Sequence, residues 1–237
     1  MFTKIGFSFL ACIFISMSNA QAQDKQPDSW FVEKSNVEQN AFLLVTHRGG
    51  IAKGLAHNHV VFAKKAEIAL TTPGVVEQGK FQAKILADDL DLDSTNVTNK
   101  WFPKLKSAEI LDEMPGEVSE SDRTKIRKDM LGPDQLDSAK FAEITAEVLG
   151  LTPMAQNVGK FAATHNAEVK VTIRNQSVVR VIPARVVMTG DTLNVEAFGA
   201  YKFTEFGIKP VSLFFGAIQN KDEIHVYVNF TATRKKG

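Results

Sequence analysis

Two histidines one residue apart, His57 and His59, are the sharpest chemical signal in this chain. On a strand, residues i and i+2 project from the same face, so the two imidazoles could share one metal ion. A complete site needs a third ligand, for which His47, His165, His225 or a carboxylate are the candidates. Without one, such a pair simply borders a strand entrance and bonds backbone or solvent. Asp89, Asp91 and Asp93 make a second cluster, offering the carboxylate oxygens that calcium prefers if all three share a strand face. The glycine and distal glutamate of a calcium loop are missing, so a solvated face is expected instead. The glycine-rich stretch 48–54 lacks the Gly-Lys-Ser/Thr ending of a phosphate loop. No Gly-x-Ser-x-Gly elbow, His-Glu-x-x-His pair or dinucleotide fingerprint occurs. The chain is expected to be no enzyme and to carry no resident cofactor.

The elements that must position these residues are mostly strands. Ala167, Val169, Val171 and Ile173 alternate with polar residues, as do Ile224, Val226, Val228, Phe230 and Ala232. Period-two alternation places the apolar set on one face and His225, Tyr227, Asn229 and Thr231 on the other, giving a sheet with one dry and one wet side. Between the two segments lies the loop 204–210, Thr-Glu-Phe-Gly-Ile-Lys-Pro. Further strands are expected near 30–33, 41–47, 57–63, 66–70, 79–91 and 143–148. A helix is expected over 118–131, with Ser119 or Ser121 as N-cap and Gly132-Pro133 as its end. The stretch 94–116 reads as a partly helical connection. The fold class is therefore mainly β, a single antiparallel domain of about eight or more strands with a helical insertion. A closed sheet of this kind either fills its interior with side chains or leaves room for an apolar guest. Val169, Val171, Ile173, Val226, Val228 and Phe230 are the candidate lining of such an interior.

The chain opens with Lys4, an apolar run from Ile5 to Met17 and small residues through Ala22, the grammar of a cleaved secretory signal peptide over 1–22. The run is too short to span a bilayer, which needs roughly 20 apolar residues. Export, to the periplasm or outside the cell, is the expectation. Cys12, the single cysteine, falls inside that leader, so residues 23–237 carry no thiol and no disulfide. Losing Lys4 lowers the 28 basic residues to 27, equal to the 27 acidic ones. A neutral chain with no basic block apart from the terminal Arg234-Lys235-Lys236, expected as a solvated tail, is not built to capture nucleic acid. The 17 phenylalanines against 2 tyrosines and 2 tryptophans suit a deep apolar interior.

Four marks in order resemble one family: Gly54-Leu55-Ala56-His57-Asn58-His59; Met130-Leu131-Gly132-Pro133; Leu136-Asp137-Ser138-Ala139-Lys140-Phe141-Ala142-Glu143-Ile144; and Phe203-Thr204-Glu205-Phe206-Gly207-Ile208-Lys209-Pro210. Together they are similar to the YceI-like family of exported proteins, in the branch with a His-x-His first mark. The resemblance runs from about Phe42 to Ala232. Asn58 stands where that branch usually has an acid, and Ala142 where proline is common. The resemblance implies a lipocalin-like barrel holding a polyisoprenoid or similar amphiphilic lipid, a hydrophobic small-molecule ligand rather than a cofactor. The alternative reading is a metal- or haem-binding protein using His57 and His59 in stress protection or electron transfer. A third reading has the loops docking to a membrane-associated partner.

Overall fold

The structure, a computed structural model, describes residues 28–32, 39–154 and 156–235, and the expected leader lies outside them. The strands are β1 (Asp28–Val32), β2 (Ala41–Gly49), β3 (His59–Ala63), β4 (Glu67–Thr72), β5 (Lys80–Leu86), β6 (Leu90–Leu92), β7 (Glu143–Pro153), β8 (His165–Ile173), β9 (Gln176–Thr189), β10 (Thr192–Lys202), β11 (Ser212–Leu213) and β12 (Ile218–Arg234). Between β6 and β7 lie α1 (Thr95–Ser107) and α2 (Glu120–Leu131). Eight strands pair in the ring β1-β4-β5-β7-β8-β9-β10-β12, and β12 returns to β1 to close it. All of these ladders are antiparallel. The lipocalin-like barrel is present.

Closure rests on the length of β12. One edge pairs with β10 from Lys202↔Glu223 to Thr192↔Thr233. The other edge pairs with β1 at Ala232–Arg234 and, nearer its start, with β2 from Gln219↔Gly49 to Asn229↔Ala41. From β2 the sheet continues through β3 to the short β6. The outer side of β6 is met by α2, whose Arg127 donates to the Leu90 carbonyl at 2.8 Å and the Asp88 carbonyl at 2.6 Å. Covering that edge prevents it from pairing with another chain. The single strand expected over 79–91 is thus two, separated by one helical turn at Ala87–Asp89.

The barrel is tight at one end and wide at the other. At the tight end Trp30, Leu70, Phe81, Leu193, Phe230 and Ala232 are buried together, and the Trp30 indole N–H donates to Thr72 Oγ1 at 2.9 Å. The β9–β10 ladder stops at Ala184↔Ala197, beside Pro183, which brings no N–H to a ladder. Beyond that point β9 continues with β8 alone. Ile182 leans so close to Gly199 that a Cβ there would sit 2.5 Å from its Cγ2. The two strands are therefore unpaired toward the wide end.

A second core lies outside the barrel. Val97, Trp101 and Leu105 recur at four-residue spacing on α1 and pack on the outer faces of β2, β3 and β12 with Leu43, Val45, Val60, Phe62 and Tyr227. This corrects the expected wet face of β12. Tyr227 is wholly buried, its ring 6.2 Å from that of Trp101 and its hydroxyl donating to Glu196 at 2.7 Å. The connection over 94–116 is chiefly this helix, while α2 begins at Glu120 with Ser119 as N-cap, accepting from the Asp122 N–H at 3.1 Å. Because the α1 core and the barrel interior are separated by the sheet, Leu105→Ala should cost about 2–5 kcal/mol of stability without changing the interior. Urea unfolding measures the first effect, and binding of an apolar fluorophore by the folded variant checks the second.

Candidate functional site

The barrel interior is not filled. A cavity of about 560 Å³ runs along it, lined almost wholly by aliphatic and aromatic side chains. That volume falls within the roughly 300–1,000 Å³ usual for small-molecule sites. The expected faces of β8 and β12 point into it: Val169, Val171, Ile173, Val226, Val228 and Phe230 all stand on the wall. Ile144, Ala146 and Val148 of β7 continue the β8 wall, followed by Phe81, Ala83 and Ile85 of β5, which alternation in those strands permits. Ile126 and Met130 of α2 also reach the cavity, a role that a mostly exposed polar helix does not advertise.

The four sequence marks converge on the wide end. Phe203, Phe206 and Ile208 are buried against the cavity, and Gly207 takes the left-handed φ of 68° that turns the chain between them. Thr204 is pinned by Asp222 through its N–H at 3.0 Å and its hydroxyl at 2.7 Å. The Lys202 N–H donates to Glu205 at 2.8 Å, and Glu205 pairs with Arg180. Gln135 beside the third mark donates to the Lys209 carbonyl at 3.1 Å, and Leu136 and Ile144 of that mark line the cavity. Asp137, buried and with φ 49°, organises the third mark: its N–H donates to the Gly132 carbonyl of the second at 2.8 Å, and its carboxylate accepts from Lys140 at 3.1 Å. The marks are a mouth held chiefly by side-chain bonds, several of them to the backbone.

The histidines fall in three places. His57 is exposed and precedes β3, against Gly116, where a Cβ would come within 2.5 Å of its Nδ1. His59 opens β3, and its Nδ1 is 2.6 Å from Asp93 Oδ2, while Asp93 Oδ1 accepts the Val60 N–H at 2.9 Å. Both rings border the cavity, yet they do not share a strand face as the spacing predicted, since His57 is not on the strand. Asn58 accepts the Arg48 N–H at 2.9 Å, a structural bond across the loop. His165 is buried at the far end beside Thr164, at 2.8 Å. Among the described residues no group of three or more His, Cys, Asp or Glu is placed to hold a metal. The aspartate triple is likewise dispersed: Asp89 ends a helical turn, Asp91 lies on β6, and Asp93 has left-handed φ and serves β3.

His47 and His225 form a pair that spacing did not suggest. They come from neighbouring strands with His47 Nε2 and His225 Nδ1 2.8 Å apart, so one ring donates its N–H to the other. Burial lowers both pKa values below the ordinary 6.5, and His225 and Lys221 lower that of His47 further. Tyr201, on the cavity wall, has a buried hydroxyl without a hydrogen-bond partner, and burial pushes its pKa up to about 12.

Comparisons with known proteins find no matching family model and no matching curated protein. Solved structures do match. BcnA of Burkholderia cenocepacia is 16% identical with a TM-score of 0.58, over 86% of this chain and 100% of its own. A polyisoprenoid-binding domain from Saccharophagus degradans, implicated in plant cell wall breakdown, is 8% identical with a TM-score of 0.50, over 88% and 98%. The YceI protein of Campylobacter jejuni is 10% identical with a TM-score of 0.48, over 75% and 85%. At these identities the shared property is the fold.

The imidazole pair sets a pH dependence. Unfolded, the two rings take up protons near pH 6.5; folded, their depressed pKa values resist this, so the unfolded state binds more protons as pH falls. Their contribution is complete above about pH 6.5 and is lost as pH drops through the folded values. Urea midpoints between about pH 7.5 and about pH 5.5 should fall more steeply in wild type than in a His47→Phe, His225→Leu variant. Equal slopes would remove the pair from the account.

Proposed function

We propose that this chain is a YceI-like binding protein that carries a polyisoprenoid or similar amphiphilic lipid inside its barrel, exported through its leader. The observation that carries the reading is the apolar cavity of about 560 Å³, whose lining includes residues of all four marks. Burial of each methylene of a guest contributes about 0.8 kcal/mol, so a long hydrocarbon binds there with few polar contacts. The polar groups on the wall support an amphiphile over a plain hydrocarbon. Thr46, His57, His59, Gln219 and Asn220 border the cavity where β2, β3 and β12 reach the wide end. The unpaired Tyr201 hydroxyl would gain a bond from an oxygen on the guest, and leaving it unmet costs about 1–3 kcal/mol. The sharing of this fold with a polyisoprenoid-binding domain agrees with the reading. No observation favours the metal- or haem-binding alternative, since among the described residues no third ligand joins His57 and His59.

Organic extraction of the purified protein followed by mass spectrometry should yield a long-chain isoprenoid or related lipid, and the delipidated protein should bind an apolar fluorophore. Val228→Trp, which projects an indole into the middle of the cavity, should lower fluorophore affinity at least about tenfold while the protein stays folded, since added volume enters empty space rather than a packed core. A protein that yields no lipid and binds no apolar probe would sink the carrier reading.

A further inference from the structure

Among the described residues the four most exposed large apolar side chains are Phe215, fully exposed, Ile51 at 96%, Leu55 at 75% and Phe214 at 73%. All four lie in two loops, 50–55 after β2 and 211–217 around β11, although they are far apart in sequence. The loops are tied together: the Ala52 N–H donates to the Ala217 carbonyl at 2.8 Å. At Gly50, with φ 86°, a Cβ would lie 2.4 Å from that same oxygen and 2.7 Å from the Gly216 oxygen, so only glycine allows the approach. The second loop meets the cavity, since Val211 and Leu213 stand on its wall. The wide end of the barrel thus wears an apolar rim. Single exposed apolar residues need no explanation, but a contiguous set marks an interaction surface.

The backbone adds a second observation. Phe214 and Phe215 have φ of 50° and 54°, in the left-handed region that glycine and asparagine occupy with least strain. Two consecutive bulky aromatics there, both turned to solvent, are held against local preference, and strain of this kind concentrates at functional segments. Charge gives the third. Residues 50–58 and 207–220 contain Lys53 and Lys209 and no aspartate or glutamate, and both lysines are exposed. Aromatic and aliphatic side chains flanked by lysines, without acids, suit the interface of a bilayer that carries negative headgroups.

We propose that these two loops dock the barrel mouth onto an anionic phospholipid bilayer. Phe214, Phe215, Ile51 and Leu55 enter the headgroup–acyl boundary, while Lys53 and Lys209 meet the phosphates. A lipid leaving the bilayer then passes from acyl chains to Leu213 and Val211 and into the cavity without crossing water. Docking rests on the carrier reading only for its purpose, and the two are measured separately.

The test is sedimentation of the whole chain, without its leader, with vesicles of mixed phosphatidylcholine and phosphatidylglycerol. Wild type should co-sediment, and Phe214→Asn, Phe215→Asn should lose at least about tenfold in partitioning. Asparagine accepts the left-handed backbone, so this variant keeps the fold and, without vesicles, binds the apolar fluorophore as wild type does. Lys53→Gln and Lys209→Gln should each weaken vesicle binding roughly fivefold at low salt. Wild type that stays in the supernatant, or an asparagine variant that sediments equally well, overturns the proposal. A dimer by light scattering that the asparagine variant dissolves, with no vesicle binding, overturns it too and assigns the rim to a second copy of this chain. Vesicle binding lost in the variant with no fluorophore binding in either protein upholds docking and rejects the carrier.

Discussion

The antiparallel ladders along β12 are the interaction on which the rest depends. This one strand of 17 residues supplies a cavity wall on its inner face and the floor of the α1 core on its outer face. It bonds β10 along one edge and shares the other between β2 and β1. Closure satisfies backbone groups that an open edge would expose, and it fixes the distance between opposite walls. An empty apolar interior tends to collapse, because its lining forgoes contacts. Strands locked in register around a ring cannot approach one another to fill it. The cavity persists because hydrogen-bond geometry, and not side-chain volume, sets the barrel radius.

Where the ring is complete, side chains do fill it, as at Trp30, Leu70 and Leu193. Opening begins where the β9–β10 ladder lapses at Pro183. At this gap Arg180, opposite Val169 and so on the inward face of β9, pairs with Glu205 and lies 5.7 Å from the centre of the Tyr201 ring. The polar bonds of the mouth therefore take over where the ladder ends. Residues with no chemistry of their own, such as Asp137, Thr204 and Gly207, each fix a loop at this end through a bond or a left-handed turn.

Much of this was legible. Alternation in β8 and β12 placed Val169, Val171 and Ile173 on one face of their strand and Val226, Val228 and Phe230 on one face of theirs, and both faces line the cavity. Alternation could not report on the opposite face of β12, because Tyr227 beside His225 and Asn229 reads as polar whether or not a helix covers it. The helix that does so keeps its apolar residues at four-residue spacing around Pro103, and that proline disguised it as a connection. The break at Ala87 was hidden for a related reason: Phe81, Ala83, Ile85 and Ala87 keep period two into a turn where the strand has stopped. The His57–Asn58–His59 spacing misled because it presumes a strand, and the strand begins only at His59. Pairs such as His47 and His225, 178 residues apart, depend on register, which a single sequence does not carry.

Strand pairing also decides where the molecule can tolerate exposed apolar surface. Around most of the barrel, exposed apolar side chains such as Val75, Leu149 and Val181 are scattered among polar ones. At the mouth they are gathered, because the irregular pairing of β12 with β2 between Asn220 and Ile224 separates the loop-bearing ends from the regular wall. Gly50 lets these two loops press together, since a Cβ there would run into the Ala217 and Gly216 carbonyls. The neighbours that do have side chains, Ile51, Leu55, Phe214 and Phe215, are then left with nowhere to go but outward. A rim of this composition is costly in water and useful only against something apolar, and it sits where the cavity opens.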